Sequence, residues 1–191
     1  MNHFFAYMAR MKYIKRWSLM KNTGEENIQE HSLQTAMIAH CLAVIKNKLY
    51  NGNVDEGMVA LLAIYHEAGE VITGDLPTPI KYYDPDIKKA YKNIEAEAER
   101  RLVSTLPMEL RDIYCPLISQ QDCPERIIVK QADKICAYLK CLEELRGGNA
   151  EFAKAANTIR SDIDKMKAPE VVYFMEKFVP SFELTLDEME I

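Results

Sequence analysis

An all-α bundle folded as a single domain is the architecture that the sequence predicts, and three observations carry it. Chain-breaking residues are scarce: seven glycines and eight prolines in 191 residues, about 8% against roughly 12% on average, leave few turns for many short strands. Apolar residues recur three and four apart over long stretches, the spacing of one helix face. A hydrophobic content of 48% over 191 residues fills one sizeable core and scarcely two, so one domain is expected over 1–191.

Charge and cysteine usage narrow the function classes. Net charge is −5, with 29 acidic and 24 basic residues interspersed, which gives no field to hold a nucleic-acid polymer or an anionic bilayer. The five cysteines, Cys41, Cys115, Cys123, Cys136 and Cys141, form no C-x-x-C pair and read as reduced thiols. Aromatic residues occupy the amino-terminal segment where a signal peptide needs positive charge, and no apolar run reaches 18 residues. A cytoplasmic protein with no membrane span is expected.

The elements follow in order. Phe4, Phe5, Met8, Met11 and Ile14 predict a first amphipathic helix, followed by a loop after Arg16 and Trp17. Asn27 with Glu30 three residues on is a capping-box pattern. It opens a helix through residues 31–48, in which Leu33, Met37, Ile38, Cys41, Leu42 and Ile45 are expected to form the buried face. His31 sits in its first turn, offset from that stripe, and His40 is expected at the core or its boundary. N-G-N ends this helix and Asp55 caps the next, whose apolar run from Val59 to Tyr65 leads to His66 and Glu67. Two prolines and a glycine in 71–80 predict a rigid loop. Asp84-Pro85 starts a long helix with a solvated charged face, and Pro107 starts a short one to Ile118. Cys123-Pro124 opens the last core helix, stopped by Gly147 and Gly148. Helices over 151–166 and 169–178 precede an extended tail.

The chemistry concentrates between Ile64 and Asp75, I-Y-H-E-A-G-E-V-I-T-G-D. His66, Glu67, Glu70 and Asp75 can each bind a cation or move a proton. On a helix, His66 and Glu70 would share a face, with Glu67 at its edge. Asp133 lies among apolar positions of the last core helix and needs a partner there, either a salt bridge to Lys130 or Lys134 or a metal ion. His31, His66, Glu67 and Asp133 are nitrogen and oxygen donors from three helices, a set suited to a divalent transition cation.

The order H…H-[DE]…D, with R-W at 16–17, E-H-S-L-Q at 30–34, Y-H-E-A-G-E, T-G-D-L-P-T-P, K-Q-A-D and V-P-S-F-E-L-T-L-D-E, resembles the HD-domain phosphohydrolases, and among them the bacterial 5′-deoxynucleotidases of the YfbR type. The resemblance spans nearly the whole chain. It implies an HD-type helical bundle with the metal site between helices, and a homodimer that hydrolyses deoxyribonucleoside 5′-monophosphates with one divalent transition ion, cobalt, manganese or similar. Carried over by position, His31, His66, Glu67 and Asp133 would hold the ion, Arg16 would orient the phosphate, and Trp17 would crowd the sugar against a 2′-hydroxyl. Glu70 would be the catalytic acid or base. Asp75, Leu76, Pro77 and Thr78 would line the substrate site with Arg16, Trp17, His31, Glu67 and Asp133.

One position departs from the family. Families of this fold carry Asp after the second His, and Glu67 is one methylene longer, so ligation through a single oxygen or through a water is expected, with Gly69 permitting the shift. The rival it raises is a non-catalytic nucleotide-binding module with an impaired metal site. A metalloprotease is the other rival, because His66-Glu67 begins H-E-x-x-H, but position 70 is Glu.

Overall fold

The structure is a computed structural model that describes residues 1–81, 83–119 and 122–189. Its α-helices are α1 (Phe4–Met8), α2 (Ile28–Tyr50), α3 (Glu56–Tyr65), α4 (Glu70–Thr73), α5 (Thr78–Lys81), α6 (Pro85–Ser104), α7 (Arg111–Ile118), α8 (Pro124–Arg146), α9 (Ala153–Met166) and α10 (Pro169–Lys177). Among the described residues the only β pairing is an isolated antiparallel bridge between Lys15 and Asn27. No described helix is long and apolar enough to cross a membrane.

The helix starts follow the capping residues. Asn27 accepts from the amides of Gln29 and Glu30, Asp55 from Met58, and Asp84 from Asp86 and Ile87, each satisfying amides that a first turn leaves free. Asn51, in the left-handed region at φ 54°, ends α2. The long helices α2 and α8 form the spine. α3 packs against both, α10 against α2, and α9 against α8. Ala39, Leu42, Val59, Ala63, Ala132, Ile135 and Cys136 close the main core between them.

The buried face of α2 includes Ile38, Leu42 and Ile45 as expected but is turned away from the rest of the expected stripe. Leu33 and Met37 are 58% and 60% exposed, whereas His31, Ser32, Thr35, Ala36, Ala39 and Ala43 are buried. The close approach of α3 and α8 selects small residues, and a ranking by hydrophobicity misses such a face. His40 is exposed rather than at the core.

Three other expectations are corrected. The first amphipathic helix is one short α1 and a 3-10 turn at Met11–Tyr13, with Phe4 and Met11 buried and Phe5 exposed. The span after Glu70 is not wholly loop, since α4 and α5 flank 74–77. The tail is wound into 3-10 turns at Val179–Glu183 and Leu186–Glu188 rather than extended. On α6 the charges are mostly solvated as expected, but Tyr91, Glu99 and Leu102 are buried.

Candidate active site

The residues at the end of α3 are held by a tightened turn. Regular α-helix stops at Tyr65, and through 66–69 the amides of Ala68, Glu70 and Val71 bond three residues back, to Tyr65, Glu67 and Ala68. A 3-10 turn advances about 120° per residue instead of 100°, so His66 and Glu70 do not share a regular α-helical face. Gly69 has ordinary right-handed angles, φ −61° and ψ −28°, so no special glycine conformation reaims Glu67.

Four donors converge from α2, the α3 end and α8. One ligand atom from each of His31, His66, Glu67 and Asp133 lies within 4.8 Å of every other. His31 Nε2 is 3.0 Å from Asp133 Oδ1, and His66 Nε2 is 3.4 Å from Glu67 Oε1. His66 Nδ1 lies 2.7 Å from the Ala63 carbonyl oxygen, which fixes the proton on Nδ1 and leaves the Nε2 lone pair facing the cluster. That Nε2 is buried and without a hydrogen-bond partner among the described residues. A buried, unpartnered imidazole nitrogen beside two carboxylates fits a divalent transition ion. Burial lowers the pKa of His66, which keeps it neutral. For His31, burial opposes charge, but Asp133 and Glu26 outweigh it and raise the pKa. Burial likewise opposes the charge of Asp133, and His31, His66 and Arg16 reverse that effect to hold it below the usual carboxylate range.

The salt bridges considered for Asp133 are made elsewhere. Lys130 approaches Asp122 at 3.4 Å and Lys134 approaches Asp162 at 4.0 Å.

Arg16 and Trp17 arrive on the segment between the Met11–Tyr13 turn and α2. The Arg16 amide bonds to the Glu26 carbonyl, and its Nε donates to Glu26 Oε2 at 3.1 Å. Its Nη1 lies 3.8 Å from Glu67 Oε1, which puts the guanidinium next to the donor cluster. Trp17 is in the left-handed region at φ 58°, costing of order 1–3 kcal/mol for such a residue. It is held by a 3.0 Å bond from Nε1 to Glu26 Oε2, by bonds from Asn22 and Met20 to its carbonyl, and by Phe152, whose ring centroid is 5.3 Å away.

Arg16, Trp17, Glu67, Glu70, Asp75, Leu76, Pro77 and Asp133 line one cavity of about 790 Å³. His31 and His66 are packed behind its wall. The side chain of Thr78 lies outside the described part of the structure. Burial, then the charges of Glu67 and Asp75, push the Glu70 carboxyl up to about 10, and its Oε2 is buried without a partner among the described residues. Burial also raises Asp75, against the pull of Arg16. Sequence reasoning missed Glu26 and Lys81. Lys81 lines the cavity, paired to Glu95 at 2.8 Å over the Tyr91 ring. Neither follows from spacing, since each faces the site across a loop.

The fold is that of the HD-domain phosphohydrolases. It overlays an HD-domain phosphohydrolase from Listeria innocua with a TM-score of 0.83 at 20% identity, covering 94% of this chain and 88% of that one. The HD phosphohydrolase of cyanophage S-2L, bound to dA and one catalytic Zn2+ ion, overlays with a TM-score of 0.68 at 19% identity, covering 92% and 96%. Sequence is more specific. The family model "5′-deoxynucleotidase YfbR-like" matches residues 3–182, and the chain belongs to that family. It is 56% identical over 190 residues to a 5′-deoxynucleotidase of Vibrio cholerae, covering 98% of both chains. It is 53% identical over 190 residues to 5′-deoxynucleotidase YfbR of Escherichia coli, covering 98% of this chain and 96% of that one.

Proposed function

We propose that this protein is a metal-dependent phosphomonoesterase that hydrolyses deoxyribonucleoside 5′-monophosphates to deoxynucleoside and phosphate. The observation that carries the reading is the meeting of His31, His66, Glu67 and Asp133 within 4.8 Å, with the Arg16 guanidinium 3.8 Å from one of those carboxylates. Membership of a 5′-deoxynucleotidase family supports the activity. The dA and Zn2+ of the cyanophage phosphohydrolase support nucleoside and transition-metal chemistry on this fold.

The residues divide the work. His31, His66, Glu67 and Asp133 would hold a divalent cation, which when bound would supply Lewis acidity and offset charge on the phosphoryl oxygens. Arg16 presents a planar fork to the phosphate, a geometry Lys would not reproduce. Trp17 faces the sugar, where crowding alone rejects an added hydroxyl by about 10²-fold. Water replaces the 5′-oxygen on phosphorus, the departing alkoxide takes a proton from Glu70, whose carboxyl holds one in its buried setting, and the proton shed by the attacking water restores it. Asp75, Leu76 and Pro77 line the substrate end. The whole chain acts as one domain, and a cytoplasmic homodimer is part of this reading, supported for assembly by the exposed Leu33 and Met37 on α2.

The non-catalytic rival has no observation in its favour, because Glu67 reaches the other donors. The deciding assay is phosphate release from a panel of deoxy- and ribonucleoside monophosphates, after chelation and after readdition of zinc, cobalt or manganese. Metal-dependent release favouring the deoxy series is expected. No release with any restored metal would overturn the proposal.

A further inference from the structure

Between the metal ligands and the substrate-facing residues lies Glu26, one carboxylate with contacts to both. Its Oε2 accepts from Arg16 Nε at 3.1 Å and from Trp17 Nε1 at 3.0 Å. Its Oε1 lies 3.7 Å from His31 Nδ1, which is buried and has no hydrogen-bond partner among the described residues. The Glu26 side chain is 12% exposed and sits on the residue before the cap of α2. Its carbonyl also accepts from the Arg16 amide at 2.9 Å, beside the Lys15–Asn27 bridge. Backbone and side chain of one residue thus hold both members of the R-W pair.

We infer that Glu26 is a positioning residue that sets the His31 tautomer for metal binding and aims Arg16 and Trp17 at the substrate, an inference that rests on the proposed function. Nε2 of His31 lies 3.0 Å from Asp133 Oδ1. To ligate through Nε2, the ring must carry its proton on Nδ1, which faces Glu26. Metal-ligating histidines commonly donate their other N–H to a carboxylate, and loss of such a partner costs about 10–100-fold in metal affinity or activity. Engaging the Nε of Arg16 leaves its two terminal nitrogens for the phosphate. Anchoring the indole nitrogen fixes a ring whose backbone stands at φ 58°. A single carboxylate therefore couples metal affinity to sugar selectivity.

Glu26→Gln keeps the shape and one accepting oxygen for Arg16 and Trp17, but its amide nitrogen can then face His31 Nδ1 as a donor, which favours the wrong tautomer. Zinc affinity measured by calorimetry should fall about 10–100-fold. Glu26→Ala should also lower the ratio of deoxy- to ribonucleotide kcat/KM, and shift the emission of Trp17, the only tryptophan. In the zinc-loaded wild-type protein, nitrogen-15 NMR should find His31 protonated at Nδ1. Unchanged zinc affinity in a folded Glu26→Gln overturns the inference, even if that variant melts lower. So does a zinc-loaded wild-type His31 with Nδ1 unprotonated, a measurement that needs no variant to fold. If the wild-type protein binds zinc but releases no phosphate from deoxynucleotides, the proposed function fails while the affinity and tautomer readouts still judge Glu26.

Discussion

His31 on α2 and Asp133 on α8 meet with Nε2 3.0 Å from Oδ1, so the two longest helices are joined at the donor cluster. An ion bound there would tie the spine together and should stabilise the fold, by about 2.7 kcal/mol at a metal concentration 100 times Kd. Adding zinc or manganese to chelated wild-type protein should raise Tm by several degrees. Asp133→Ala should abolish that shift, as should His31→Ala. A metal-induced shift retained in either variant would place the ion elsewhere.

Arg16 and Glu70 line the cavity without belonging to the donor cluster, so under the proposed function rate and metal content should separate. Arg16→Ala and Glu70→Gln should each lower kcat/KM by about 10² or more with metal stoichiometry unchanged. For Glu70→Gln the loss should lie in kcat rather than KM. Wild-type rates at full metal content would remove either residue from the mechanism.

Glu67 reaches the donors from a tightened turn, 3.4 Å from His66 Nε2 and 3.8 Å from Arg16 Nη1. Metal sites tolerate about ±0.2 Å in ligand distance, so the longer side chain should bind through one oxygen or a water, and activity should depend on added metal. Glu67→Asp should then gain metal affinity in a direct titration. A collapse of affinity and turnover together would mean that the site was built around the longer carboxylate.

Glu144, fully buried on α8, fixes the loop that carries Arg16 and Trp17 toward α2. It accepts from Lys140 Nζ at 2.6 Å, from the amides of Thr23 and Gly24, from Thr23 Oγ1 and from Asn149. Burial works against its charge, yet Lys140, Asn149 and Thr23 hold its carboxyl below the ordinary value of 4.5. A carboxylate with a depressed folded pKa contributes stability above the unfolded value and loses it as pH falls toward the folded one. Glu144→Gln leaves the Lys140 side chain, 5% exposed, without its counter-charge, at a cost of about 3–5 kcal/mol. Chemical denaturation at pH 7 should show that loss, and the difference from wild type should shrink below pH 4.5. Equal stabilities at pH 7 would refute the role.

The sequence by itself determined the helical class, the cap residues at Asn27, Asp55 and Asp84, and the four residues, His31, His66, Glu67 and Asp133, whose donor atoms converge. These are encoded locally or by residue type: capping is satisfied within three residues, and nitrogen and oxygen donors in a recognisable order mark the site wherever the helices lie. Tertiary structure decided the rest. His31 is buried rather than offset because α3 and α8 approach α2 along its alanines, and small size there is invisible to a hydrophobic stripe. The turn at 66–69 departs from regular α-helix because the donor cluster and the packing of α4 on α6 fix where the chain must go. Glu26 faces Arg16, Trp17 and His31 only once a short antiparallel pairing folds its segment back, and no spacing along the chain encodes that meeting.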